Sequence, residues 1–134
     1  MKAVNKRSDC PISYALDFFG DKWTLLIIRD MVFDKKRFYK EFLESGEGMA
    51  TNILSDRLKK LESAGVIVSK PYEALKTRKE YSLTQKGKEL IPVMLEMIVW
   101  SSNYDKALAI PPRFVKQYKT NRDTIIEGIK KGLG

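Results

Sequence analysis

Residues Thr51 to Leu83, TNILSDRLKKLESAGVIVSKPYEALKTRKEYSL, place one helical period directly before two extended runs, and that order decides the fold. At about 100° per residue, Leu54, Leu58 and Leu61 share a stripe, while Asn52, Ser55, Asp56 and Lys59 fall near the opposite side. The spacing predicts a helix over about Thr51–Ala64 with one core face and one polar, hydrogen-bonding face, ended by Gly65 as a C-cap. Arg57 lies on its flank, about 60° from the core stripe, where a long stem packs and the charged head still reaches out. Val66–Tyr72 and Arg78–Leu83 then have the β-branched and aromatic content of strands, and Pro71 suits only an edge. They predict a hairpin whose loop, Glu73–Thr77, is longer than a tight turn and whose basic tip carries Lys76, Thr77, Arg78 and Lys79.

Working outward from this stretch, three helices are expected upstream. Pro11 suits a first helical position, with Cys10 as N-cap and Gly20 as the stop. Lys22–Val32 follows, with Trp23, Leu26, Ile27 and Met31 at the spacing of a buried stripe. A short helix over Phe38–Leu43 comes next, and Ser45-Gly46-Glu47-Gly48 breaks the chain after it. Downstream, Thr84 is expected to cap one long helix over about Gln85–Leu108, apolar on all sides through Ile91–Trp100. A helix apolar all round needs cover on every side, and a second copy of the chain is the expected cover. After Pro111-Pro112, Thr124-Ile125-Ile126-Glu127 has the form of a capping box ahead of a short amphipathic tail helix. The expected organisation is one domain over residues 1–112 and a tail over 113–134 packed on the dimer. The fold class is mainly α with a small β-hairpin.

The chain has 134 residues, 43% of them apolar and 31% charged, which suits one globular domain with a core. Its 25 basic and 17 acidic side chains leave a formal charge of +8, which favours a polyanionic partner. The excess is local: residues 51–90 carry nine Lys/Arg against five Asp/Glu, and residues 11–50 carry six against seven. With no histidine and one cysteine, Ser-His-Asp and Cys-His catalysis, His/Cys zinc sites and a disulfide within one chain are excluded. No catalytic carboxylate pair, glycine-rich phosphate loop or metal ligand set stands out, so neither an enzyme nor a cofactor is expected. The longest apolar stretch, residues 91–100, is interrupted by Glu96 and too short to span a bilayer, so no membrane partner is expected.

Helix, helix, short helix, turn, helix, hairpin and helix is the order of a winged helix-turn-helix. The residues support a closer comparison: Cys10-Pro11, Gly20-Asp-Lys-Trp-Thr-Leu-Leu-Ile-Ile-Arg29, Arg37-Phe38, Leu54-Ser-Asp-Arg-Leu58, Leu61-Glu62, Ala64-Gly-Val-Ile67 and Tyr81-Ser-Leu-Thr-Gln-Lys-Gly87, with Leu90, Pro92 and Trp100. Across residues 10–100 this pattern resembles the HxlR family of bacterial, MarR-like transcription regulators. The resemblance implies a cytoplasmic homodimer that binds a roughly palindromic operator on double-stranded DNA, and an N-terminal cysteine that senses oxidants or small electrophiles. Two positions depart from the pattern: Ala50 stands where a hydroxyl residue commonly caps the recognition helix, and Asp56 puts a carboxylate where neutral or basic side chains are common.

On this reading Thr51, Asn52, Ser55, Asp56, Arg57 and Lys59 form the recognition surface. Asn52 has the donor–acceptor pair that matches adenine, and Ser55 and Lys59 reach base edges or phosphate. Asp56 either accepts from a cytosine amino group or holds Lys59 or Lys60 in place, the second being the favoured role. Lys76, Thr77, Arg78 and Lys79 would flank the groove, and Arg37 and Lys40 are further candidates for backbone contact. Leu16, Phe19, Met94, Met97, Ile98 and Trp100 are the expected dimer interface. Cys10 has two readings: a thiol activated by a helix N-terminus with Lys6 and Arg7 nearby and Asp9 opposing, or a packed small residue. A winged domain that binds another protein, its basic surface incidental, is the alternative function.

Overall fold

The computed structural model describes residues 8–133. Its elements are α1 (Pro11–Phe19), α2 (Lys22–Phe33), α3 (Tyr39–Leu43), α4 (Thr51–Ser63), β1 (Ile67–Tyr72), β2 (Leu75–Leu83), α5 (Gln85–Lys88), α6 (Ile91–Ser102) and α7 (Phe114–Gly132). They divide into two compact units, one ending at Gly87 and one beginning at Lys88.

In the first unit α2 packs against both α1 and α4, and α3 packs on α4. Asp21 starts α2 by accepting from the amides of Trp23 and Thr24 at 3.1 and 3.2 Å, which satisfies two of the free donors of a helix start. The buried side of α2 is Thr24, Ile27, Ile28, Asp30, Met31 and Val32. It is thus rotated from the expected stripe, and Trp23 and Leu26 are only half-buried. Asp30 takes a core position because Arg29 reaches it at 2.8 Å and Lys36 lies 3.7 Å away; a buried carboxylate needs such partners. Arg29 also reaches Glu47 at 2.9 Å and so ties α2 to the turn before α4.

Leu54, Leu58 and Leu61 are the buried stripe of α4, as its periodicity predicts. Gly65 follows at φ +75, the left-handed conformation in which a side chain is strained. Its amide bonds the Glu62 carbonyl at 3.0 Å, and the Val66 amide bonds that of Leu61 at 2.9 Å. The hairpin turn is shorter than expected. The antiparallel register runs from Ile67–Leu83 to Pro71–Lys79 and then, across an irregularity, to Tyr72–Leu75. Only Glu73 and Ala74 lie outside the strands, so Lys76, Thr77, Arg78 and Lys79 belong to β2 rather than to a loop tip.

Downstream, the single expected helix Gln85–Leu108 is two helices, α5 and α6. Pro92 is the cause: it lacks an amide hydrogen and its ring excludes the helical carbonyl four residues before it, so it fits only the first turn of a new helix. In the second unit α6 packs with α7, and the Tyr118 hydroxyl donates to Glu96 at 2.8 Å. The tail helix is 19 residues long rather than short, with non-helical backbone at Asn121 (φ −132, ψ 43) three residues before the expected cap at Thr124. Among the described residues no helix is long and apolar enough to cross a membrane.

Candidate nucleic-acid interface

α3 and α4, joined through Ser45–Gly48, form a helix-turn-helix whose second helix presents a polar face. At about 100° per residue Asn52, Ser55, Asp56 and Lys59 fall within a sector of about 100°. Thr51, Asn52 and Lys59 are exposed, and Ser55 and Asp56 are half-buried. Asn52 and Lys59 have no partner among the described residues, so their donors and acceptors are available. The helix begins without a side-chain cap, since Ala50 has none to give. The first-turn amides therefore point outward with the positive end of the helix dipole.

Behind this face α4 is fastened at two places that sequence reasoning missed. Tyr39 of α3 places its hydroxyl 3.0 Å from the Thr51 carbonyl, as donor, and 3.1 Å from the Ser55 hydroxyl. Arg57 turns inward: Nε donates to Asp21 Oδ2 at 2.8 Å and a terminal nitrogen to Asp56 Oδ2 at 2.5 Å. Burial alone would raise the Asp21 pKa. Hydrogen bonds from Thr24, Arg57 and the Trp23 amide, with the Arg57 charge, outweigh it and lower the value from 3.8 to about 2. Arg57 is raised above its ordinary value, chiefly by its bond to Asp21. Asp56 is lowered, first by its hydrogen bond from Lys60, which lies 3.3 Å away, and then by Arg57. Asp56 thus holds neighbouring cations, the role favoured from sequence, with Lys60 and Arg57 as the ones held.

The hairpin stands beside this helix on an aromatic base. Phe38 packs edge-on to Tyr72, Phe42 edge-on to Tyr81, and the Ser69 hydroxyl donates to Glu62 of α4 at 3.1 Å. Arg78 lies over the Phe38 ring with its guanidinium carbon 3.7 Å from the centroid, a stacking position rather than an extended one. Arg37 pairs with Glu80 and also faces Phe38, so both its guanidinium and that of Arg78 are engaged within the unit. Lys40 on α3 and Lys76, Thr77 and Lys79 on β2 are exposed, and the three lysines have no carboxylate partner among the described residues.

Cys10 is the N-cap of α1, exposed, with its amide bonded to the Ser8 hydroxyl. Lys6 and Arg7, expected beside it, lie outside the described residues. Of the expected dimer residues, Leu16 of α1 and Met97 and Trp100 of α6 are exposed, Phe19 and Ile98 are half-buried, and Met94 is buried within the chain. Among the described residues no group of three potential ligands is placed to hold a metal.

This arrangement matches the model of the HxlR-like helix-turn-helix family over residues 18–108. The chain belongs to that family. A curated relative, the HTH-type transcriptional regulator sll1512 of a Synechocystis strain, is 36% identical over 88 residues; the match covers 66% of this chain and 64% of that protein. The reduced form of the transcriptional regulator YodB from B. subtilis superposes with a TM-score of 0.60 at 28% identity, covering 76% of this chain and all of that one. The redox regulator HypR in its oxidised form gives a TM-score of 0.62 at 28% identity, covering 72% and 98%. The family is described as helix-turn-helix, and these relatives are described as regulators rather than enzymes.

Proposed function

We propose that this HxlR-family protein acts in the cytoplasm as a homodimer on a roughly palindromic operator, α4 of each subunit reading the major groove. The observation that carries the reading is the outward face of α4. Asn52 and Lys59 have no partner among the described residues, on a helix that is fastened by Tyr39 and Arg57. A preorganised donor–acceptor surface with free ends is what base-edge recognition requires. Asn52 is assigned to adenine, with Thr51, Ser55 and Lys59 on neighbouring base edges or phosphate. Lys40, Lys76 and Lys79 lie against backbone phosphates, with Thr77 between the hairpin cations. Exposed Leu16, Met97 and Trp100 supply apolar surface for the subunit contact, which sets the readers about one helical turn apart.

Regulation is assigned to Cys10. Two solved neighbours are a redox regulator and a regulator described in its reduced form, and the thiol here is exposed at a helix start. Oxidation would give a disulfide to the partner subunit or to a small thiol, because one cysteine per chain forbids a bridge within a subunit. A small electrophile would give a thioether at the same atom.

The test is an anisotropy titration on the upstream intergenic DNA against a shuffled duplex, with the protein reduced and after diamide. The expected result is preference for the native duplex, lost on oxidation in the wild type and retained in Cys10→Ser. With about three phosphates neutralised per subunit, log K against log salt should fall with a slope on the order of −5. Equal affinity before and after oxidation would remove the switch. No preference and a weak salt dependence would favour a protein-binding module.

A further inference from the structure

We propose that Asp21 is a positioning residue for DNA recognition, and that Arg57 works inward as the other half of the same clamp, fixing α4 on the start of α2. The proposal rests on the DNA-reading role of α4. Asp21 and Arg57 are 36 positions apart in sequence, yet their side chains meet at 2.8 Å, and Arg57 is the less exposed of the two (20% against 31%). The same carboxylate receives two α2 amides and, at 2.6 Å on its other oxygen, the Thr24 hydroxyl, so its own position is over-determined. Arg57 also takes Asp56, so both its bonded partners are protein carboxylates and its fork is directed at them instead of outward. A cavity of about 470 Å³ lies here, walled by Leu16, Phe18, Asp21, Thr24, Arg57 and Leu61 among others. The Asp21–Arg57 pair forms part of that wall. Leu54, Leu58 and Leu61 seat one stripe of α4 in the core, and Arg57 on the flank of that stripe is held to the start of α2, which opposes a roll of the helix about the stripe. A roll of a few degrees moves Asn52 and Lys59 off the base edges they must match.

Asp21→Asn keeps the N-cap, because asparagine caps as well as aspartate; it removes the charge that faces Arg57 and turns the Thr24 hydroxyl from donor to acceptor. Asp21→Asn, Arg57→Gln and the double variant would be titrated on operator and shuffled duplex over a range of salt, at a temperature where near-UV dichroism shows each folded. The expected result is that each single variant loses about tenfold in operator affinity. Binding to the shuffled duplex and the salt slope stay at wild-type values, and the double variant is no worse than the singles. Arg57→Lys keeps the charge without the fork; it serves if Arg57→Gln does not fold, and the same loss is expected. Unchanged or tighter binding by Asp21→Asn would overturn the proposal. So would a slope shallower by about one per subunit in Arg57→Gln, the signature of a lost phosphate contact. Wild-type protein without operator preference would overturn the DNA reading and this proposal with it.

Discussion

Asp21 does three things with two oxygens: it starts α2, binds the Thr24 hydroxyl and holds Arg57. Its sequence neighbourhood announces only the first. An aspartate just before an apolar-periodic run reads as a cap, but nothing in the string connects it to an arginine 36 positions later. Arg57 is therefore expected to extend to phosphate from sequence alone, and only the fold shows where its head goes. The Asp21 carboxylate, held by Thr24, Arg57 and the Trp23 amide together, also has a pH signature. Asp21 has a folded pKa of about 2 against an ordinary 3.8, so its contribution is fully present above about pH 4 and is lost as the pH falls through 2. Asp21→Asn should flatten the acid limb of a stability–pH profile between those values, by about 1 kcal/mol after allowing for solvent screening. Urea melts at a series of acidic pH values would check this, and parallel wild-type and variant profiles would remove the Asp21 charge from the stability balance.

Elements whose boundaries are marked by local chemistry were legible: Pro11 and Gly20 bound α1, and the leucine stripe with Gly65 defines α4. Where a boundary depends on long-range pairing or on one steric veto, the reading failed. Leu75–Thr77 carries no strand alternation strong enough to set it apart from a loop, yet pairing of Tyr72 with Leu75 draws it into the sheet. The apolar run through Ile91–Trp100 masked the break that Pro92 imposes. The start of α7 was missed because Arg113, its cap position, sits at φ +66 and carries none of the usual capping side chains. Two glycines separate steric need from habit at this scale. A Cβ on Gly87 would stand 2.3 Å from the Val66 carbonyl oxygen, whereas one on Gly128, within α7, would meet nothing within 4 Å. Gly87→Ala should cost about 2 kcal/mol or more and Gly128→Ala should gain about 0.5–1 kcal/mol, both read from chemical denaturation.

At the scale of the whole molecule, fold class and family were legible because they depend on the order of elements and on a string of motifs, both of which survive errors in individual boundaries. The division of α4 into a buried leucine stripe and a polar outer face was legible in the same way. The assembly is a different matter, because an apolar side chain has the same letter whether it is buried at home or against a partner: Met94 is buried within the chain, Trp100 is 67% exposed. If α6 forms the subunit contact, Trp100→Ala should shift the dimer to monomer at micromolar concentration in sedimentation equilibrium, a loss of about 2 kcal/mol or more for an aromatic anchor. Met94→Ala should instead lower stability with little change in association, and a Trp100→Ala protein that stays dimeric would move the contact elsewhere. One consequence of the α4 geometry concerns how its outer surface can change. The side chains that fasten the helix, Tyr39 and Arg57, are separate from Asn52 and Lys59, which are exposed and have no partner among the described residues. Changes at the outer positions cost the scaffold almost nothing, so if α4 reads DNA as proposed, a duplicated copy of this gene could acquire new targets by a few substitutions while its daughter protein folds as before.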